Sequence, residues 1–132
     1  MYSFYSALLT AAAIVSSPYW LIKGMRERKY LRNFSQRLGA ILPDLRLSER
    51  PVWIHAVSVG EVLAARPLLS AIRSARGDLP VVVSTVTLTG QSLAQKELAS
   101  ADLIIYFPFD WRFCVRRFLD RLKPRLVVLM ET

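Results

Sequence analysis

The chain has 132 residues, which suffices for one compact domain and an appendage but not for a two-domain enzyme. Its residues are 53% hydrophobic and 21% charged, which excludes a disordered or collagen-like chain. With a single cysteine, Cys114, and a single histidine, His55, an internal disulfide and a Cys/His zinc site are also excluded. We expect no metal site and no cofactor.

The net charge of +8 is unevenly distributed along the chain. Residues 1–22 carry no charged side chain, whereas residues 23–37 carry six basic side chains and one acidic side chain. Basic residues beside an apolar segment are attracted to anionic lipid by about 1 kcal/mol each. This pattern favours a membrane surface as partner, and we expect no nucleic-acid partner despite the pI of about 10.3.

The apolar segment 1–22 predicts a membrane-anchor helix. A helix of that length would be about 33 Å long, enough to span a bilayer. The basic cluster after Ile22 predicts a cytoplasmic location for the remainder. An interfacial helix and a buried helix remain alternatives, because polar residues and a proline interrupt the run: Thr10, Ser16, Ser17 and Pro18. A cleaved signal is a further alternative, although the positive charges of a signal peptide normally precede its apolar run and here they follow it.

Residues 23–50 are predicted to form a basic amphipathic helix followed by a linker. Apolar residues recur at helical spacing up to Leu38. Gly39 suits a helix C-terminus, and Pro43 lies within the linker.

Residues 51–132 alternate short apolar runs with helical patterns. Strands are predicted at 52–56, 80–85, 102–107 and 124–130, and helices at 60–76, 89–99 and 110–122. Continuous apolar strands separated by helices are typical of a parallel sheet covered by helices. The predicted fold class is therefore α/β, with a membrane-anchor helix before a Rossmann-like parallel-sheet domain. Pro67 is expected to kink the first of these helices or to divide it.

In such sheets ligands bind beyond the carboxyl ends of the strands, so the loops there are the candidate site. The first loop contains Ser58, Gly60 and Glu61. Ser followed three residues later by Glu is a capping box, which is the structural alternative to a catalytic carboxylate. A helix N-terminus lowers the pKa of a carboxylate, so a catalytic Glu61 would need burial or a bound substrate to raise it.

The second loop, TVTLTG, brings hydroxyls and Gly90 to the same edge. Thr89 is expected either to cap the following helix or to join a polar cradle for a sugar or phosphate. Neither a dinucleotide fingerprint nor a P-loop is present. Glu131 ends the fourth apolar run, where an acid faces the crevice or is costly to bury.

The remaining polar and aromatic residues are expected to be structural. Asp110 is expected to cap the third helix of the domain. Packing roles are expected for His55, Trp111, Phe113 and Cys114.

The strings WIHAVSVGEVLAARPLL, STVTLTG, FPFD and LVVLMET, in this order behind an apolar anchor, resemble the 3-deoxy-D-manno-octulosonic acid (Kdo) transferase family. The resemblance covers essentially the whole chain. It implies the N-terminal half of a GT-B glycosyltransferase of lipopolysaccharide synthesis. Such enzymes transfer Kdo from CMP-Kdo, with inversion, to a tetraacylated lipid A precursor (lipid IVA) at the inner membrane.

The resemblance also implies roles for individual residues. Glu61 would be the general base and Glu131 would stabilise the transition state. Four residues would bind the acceptor: Ser58, Gly60, Thr87 and Gly90. CMP-Kdo would be held mainly by a C-terminal domain.

The family motif continues past Thr132 into a Trp-Pro element, so we expect a truncated transferase that is inactive by itself. The alternative is a membrane-anchored Rossmann-like binding module without catalysis.

Overall fold

The computed structural model describes residues 2–26, 28–40, 47 and 49–130, with side chains for all of these except 2–4, 20–26 and 28–32. The described residues form two units. One contains the two N-terminal helices and residues 108–118, and the other contains the sheet with the helices that follow its first two strands.

The sheet unit alternates strands and helices as the sequence predicts. The elements are β1 (Val52–Ala56), α3 (Val59–Ala75), β2 (Val81–Thr85), α4 (Leu88–Glu97), β3 (Leu103–Tyr106), α5 (Arg112–Leu122) and β4 (Leu126–Met130), preceded by α1 (Tyr2–Arg26) and α2 (Arg28–Arg37). Residues 112–118 of α5 belong to the first unit. All four strands are parallel, which confirms the Rossmann-like sheet.

The strand order is β3-β2-β1-β4. The chain therefore moves outward from β1 through β2 to β3, and then returns to the other side of β1 with β4. In open α/β sheets the crevice at such a reversal is where ligands bind. The crevice lies between β1 and β4, where Ala56 pairs with Met130.

One face of the sheet carries the hydrophobic core. Val52, Ile54 and Ala56 of β1 pack with apolar residues of β2 and with the buried faces of α3 and α4. Ile54 is fully buried, and truncating such a side chain to alanine typically costs about 2–5 kcal/mol. α3 is one uninterrupted helix through Pro67, so of the two effects expected of this proline, a kink or a division, the division does not occur.

In the other unit, α2 ends in a Schellman motif. Gly39 has φ +72° and donates to the Gln36 carbonyl, while the amide of Ala40 donates to the Ser35 carbonyl. The predicted role of Gly39 at this helix end is confirmed.

α1 is 25 residues long and contains Pro18. No helix among the described residues is both long and apolar enough to cross a membrane. The prediction of a spanning anchor is therefore unsupported. Thr10, Ser16 and Ser17 lower the mean hydropathy of this segment, and their hydroxyls donate to carbonyls of their own helix.

Asp110 does not have the predicted capping role. α5 begins two residues later, and the Asp110 carboxylate accepts a hydrogen bond from the Tyr5 hydroxyl at 2.6 Å. Cys114 is fully buried, as expected.

Candidate active site

The loop after β1 places Ser58, Gly60 and Glu61 at the carboxyl edge of the sheet, beside the crevice. Ser58 is the N-cap of α3, and its hydroxyl oxygen accepts a hydrogen bond from the Glu61 amide at 3.3 Å. Glu61 completes the capping box, since its Oε2 accepts from the Val57 amide at 2.5 Å and from the Ser58 amide at 3.4 Å. The predicted capping box is confirmed.

The two carboxylate oxygens of Glu61 have different surroundings. Oε2 is held by two backbone amides, whereas Oε1 accepts one bond, from the Ser58 hydroxyl at 3.1 Å. A carboxylate oxygen has two lone pairs, so Oε1 can accept a further proton donor. Glu61 therefore combines a fixed position with one accessible acceptor.

The amide of Val57 is the main cause that holds the pKa of Glu61 below its usual 4.5. The hydroxyl and amide of Ser58 and the nearby His55 lower the pKa of Glu61 further, while partial desolvation opposes them. Glu61 is therefore ionised at neutral pH. An ionised carboxylate can accept a proton, although a low pKa makes it a weak base.

The loop after β2 brings Thr87 and Gly90 to the adjacent position on the same edge. Thr87, not Thr89, caps α4: its hydroxyl oxygen accepts from the Gly90 amide at 3.0 Å. Gly90 is tightly enclosed, because a Cβ there would lie 2.9 Å from the Thr87 Oγ1 and 3.6 Å from the Val57 carbonyl oxygen. The space at Gly60 is more open, because a Cβ there would have the Ser58 Oγ, at 3.9 Å, as its nearest neighbour.

His55 belongs to a buried polar cluster beneath this edge. Its Nδ1 lies 3.0 Å from the Ser84 Oγ, which also accepts from the Trp53 Nε1 at 2.8 Å. The imidazole stacks on Phe107 with ring centroids 3.9 Å apart. Burial lowers the pKa of His55, against the opposing effects of the Ser84 carbonyl and Glu61, so the ring favours its neutral form.

Sequence reasoning missed Ser84, which joins His55 to Trp53. The only available signal was the change from valines to hydroxyls at the end of β2, where Thr85 likewise bonds to the buried Gln91 at 2.6 Å. Glu131 lies outside the described residues. Its neighbour in the chain, Met130, pairs with Ala56, two residues before Ser58.

Among the described residues, no group of three or more histidine, cysteine, aspartate or glutamate side chains is placed to hold a metal ion. The chemistry at this edge is that of a carboxylate, hydroxyls and helix N-termini. Such groups can bind hydroxyls and move a proton.

The model of the family described as 3-deoxy-D-manno-octulosonic-acid transferase (kdotransferase) matches residues 32–132. The chain belongs to this Kdo transferase family. The matched region contains the whole sheet and both capped loops.

Curated Kdo transferases match most of the chain. The chain is 27% identical to the 3-deoxy-D-manno-octulosonic acid transferase of Haemophilus influenzae, over 98% of this chain and 30% of that protein. It is 41% identical to the enzyme of the same name from Bordetella pertussis, over 61% of this chain and 20% of that protein. A bifunctional glycosyltransferase/methyltransferase of Fusobacterium nucleatum is 32% identical over 85% of this chain and 18% of that protein.

The chain thus spans about 30% of the length of the Haemophilus Kdo transferase. No solved structure matches the chain.

Proposed function

We propose that this chain provides the acceptor side of a Kdo transferase that moves Kdo from CMP-Kdo to lipid IVA. The observation that carries the proposal is the ionised Glu61, held beside the crevice between β1 and β4 in a chain of the Kdo transferase family. A carboxylate fixed at this crevice suits a reaction whose acceptor must lose a proton.

In the proposed reaction Glu61 is the general base. Its Oε1 takes the proton of the acceptor hydroxyl while that hydroxyl oxygen attacks the anomeric carbon of Kdo. The bond from Kdo to CMP breaks, and its electron pair leaves with CMP. Attack opposite the leaving group inverts the anomeric centre.

The low pKa of Glu61 has to rise for this step to be efficient. A bound glycolipid would exclude water from the exposed carboxylate, and desolvation favours the neutral form. The two amides on Oε2 keep the group oriented meanwhile, because they are part of the α3 cap. Glu61 can therefore cap α3 and act as the base at the same time.

The neighbouring residues are proposed to bind the acceptor. The Thr87 hydroxyl oxygen caps α4, so its proton can be donated to an oxygen of the bound glycolipid. Gly60 leaves room beside Ser58, and Gly90 allows Thr87 to lie close to the helix start. Glu131, which follows β4 in the chain, is proposed to stabilise charge that develops at the reacting centre.

The membrane role is proposed for the surface of α1. Large apolar side chains are exposed along it, with Leu8 62%, Ile14 66% and Val15 80% exposed. The basic segment 23–37 begins at the end of α1 and continues beyond it in the sequence. Exposed apolar side chains beside a basic segment suit a bilayer interface, and here they would keep the site at the cytoplasmic side of the inner membrane near its glycolipid.

The test is a transfer assay with CMP-Kdo and lipid IVA, using the complete enzyme and the 132-residue chain. We expect the complete enzyme to give a Kdo glycoside of inverted anomeric configuration. We expect the chain alone to give none, because the donor site lies in the rest of the enzyme. Transfer by the isolated chain, or a complete enzyme that leaves CMP-Kdo unused, would contradict the proposal. Glycolipid binding without turnover by the complete enzyme would support a binding module instead.

A further inference from the structure

The unit that contains α1 and α2 has an open groove, and none of its lining residues has a role in the reaction step proposed above. Its volume is about 660 Å³, within the roughly 300–1,000 Å³ typical of small-molecule sites. α1 contributes small residues, Ser6 and Thr10, to its wall. The wall is completed by Phe34 and Leu38 from the α2 side and by residues 111–116.

Specific contacts within this unit hold the groove walls together. The Tyr5 hydroxyl donates to Asp110 and joins α1 to the segment before α5. On the other side, the Phe109 amide donates to the Arg37 carbonyl at 3.1 Å, and Arg117 donates to the Leu38 carbonyl at 3.2 Å. The groove is therefore a built feature of the unit.

Three of the residues that line the groove, Phe34, Trp111 and Phe113, belong to an aromatic row that also includes Phe109. Phe34 lies 5.0 Å from Phe109, Phe109 lies 5.5 Å from Trp111, and Trp111 stacks on Phe113 at 6.1 Å, measured between ring centroids. Phe34 and Phe113 nevertheless remain 49% and 50% exposed. Half-exposed rings around a concave surface favour an apolar ligand.

The charges at the groove have one sign. Arg112 and Arg116 line it, and no acidic residue does so among its described lining residues. Arg112 forms no ion pair with any described residue. Guanidinium groups bind phosphate through bidentate hydrogen bonds. The groove therefore presents an apolar wall for a hydrocarbon chain and a cationic one for a phosphate.

We propose that this groove binds one acyl chain and an adjacent phosphate of a phosphorylated, acylated glycolipid. This ligand class rests on the proposed function, since it is the acceptor of that reaction. An apolar groove with arginines on one wall fits an amphiphile whose phosphate is joined closely to its acyl chains, and it fits a free sugar phosphate or a neutral lipid less well.

The test is equilibrium binding to the 132-residue chain, followed by Trp111 fluorescence, with the Trp111→Phe variant as the blank. Three probes are compared: a diphosphorylated, acylated glucosamine disaccharide, the same compound without its phosphates, and the same compound without its acyl chains. Arg112→Gln removes one phosphate contact, and Thr10→Phe fills the groove. Lys96→Gln, an exposed α4 residue outside the groove, is the charge-matched control.

We expect Arg112→Gln to weaken binding of the phosphorylated probe about tenfold without changing binding of the dephosphorylated one, since one charge-assisted contact is worth about that factor. Thr10→Phe should weaken both acylated probes about tenfold, and Lys96→Gln should change neither. Circular dichroism checks that each variant folds.

Two results would overturn the proposal. One is an unsubstituted chain that binds the probe without acyl chains as tightly as the acylated probe. The other is an unaffected Thr10→Phe variant with binding that anionic phospholipid vesicles abolish, which would indicate attraction to any charged surface. The groove and the proposed function fail separately, because Kdo transfer by the complete enzyme is measured independently of this binding.

Discussion

Gly90 and Thr87 offer a direct test of how tightly the site edge is built. Alanine at position 90 would place a Cβ 2.9 Å from the Thr87 Oγ1, which is too close to persist. The other near neighbours, the Thr85 Cβ and the Val57 carbonyl oxygen, lie at an ordinary 3.6 Å. The Thr87 hydroxyl must therefore rotate away, and it then loses its 3.0 Å bond from the amide at position 90.

Two opposing effects determine the size of the change in stability. Loss of an N-cap hydrogen bond costs about 1 kcal/mol in the free energy of unfolding. Replacing glycine by alanine inside a helix gains about 1 kcal/mol. Gly90→Ala should therefore be nearly neutral, whereas Thr87→Ala, which only loses the cap, should destabilise the chain by about 1 kcal/mol.

A double-mutant cycle separates these effects. In a Thr87→Ala background the clash is absent, so adding Gly90→Ala should stabilise the chain by about 1 kcal/mol, which gives a coupling of about that size. Urea unfolding followed by circular dichroism measures all four proteins. If Gly90→Ala has the same effect in both backgrounds, the hydroxyl contact is not what constrains this position.

Three further predictions concern the interactions that support the site. Arg73 donates to Asp102 and to the carbonyls of Ser100 and Leu79, so Arg73→Met should lower the free energy of unfolding by about 1–3 kcal/mol. Arg66→Met removes an exposed ion pair with Glu97 and should cost less than about 1 kcal/mol, so equal losses in urea unfolding would argue against the network. Ser84→Ala removes the hydroxyl that accepts from the buried Trp53 indole N–H and should cost about 1–3 kcal/mol, against little change for the exposed Ser74→Ala. A Ser84→Ala variant as stable as the native chain would contradict this interpretation of the cluster. Burial lowers the pKa of His55 below its usual 6.5, so on acidification the unfolded chain is protonated at His55 before the folded chain. The contribution of the neutral, buried His55 to stability is therefore present above about pH 6.5 and is lost as the pH falls below that value. Because His55 is the only histidine, its NMR titration should show a midpoint below 6.5, and His55→Gln should flatten the fall in stability between about pH 7 and 5.5; a midpoint above 6.5 would contradict the assigned burial effect.

Local patterns in the sequence predicted most of the sheet unit. β1 has the predicted bounds 52–56 because a continuous apolar run follows Pro51 and ends at the capped loop. The capping box of Ser58 and Glu61 depends on a three-residue spacing within one turn, which is visible without tertiary information. Such features are local, so sequence alone can reveal them.

Features that depend on long-range contacts were less accessible. The choice of Thr87 over Thr89 as the α4 cap depends on where the helix begins, since both are threonines in the same loop. The role of Asp110 depends on Tyr5, which lies 105 positions away. The strand order that makes the β1–β4 crevice likewise follows from pairing between distant segments.

The predicted spanning helix shows a different limit. Length and a lack of charge favoured it, but hydroxyl residues and Pro18 lower the apolar character of the same segment. Counting apolar residues alone does not take into account how far the hydroxyl residues and the proline lower the mean hydropathy of the segment. In the proposed function the exposed apolar side chains of α1 would lie at a bilayer interface.

The most direct test of the central claim is the rate of Kdo transfer by the complete enzyme carrying Glu61→Gln. Glutamine can keep the reciprocal cap of α3, so stability should be nearly unchanged, while the base is lost. General-base catalysis contributes about 10² to 10⁴ in rate, and we expect a fall of that size in kcat, with Glu97→Gln as the control on a neighbouring helix. A rate within a few-fold of the native enzyme would mean that Glu61 only caps its helix.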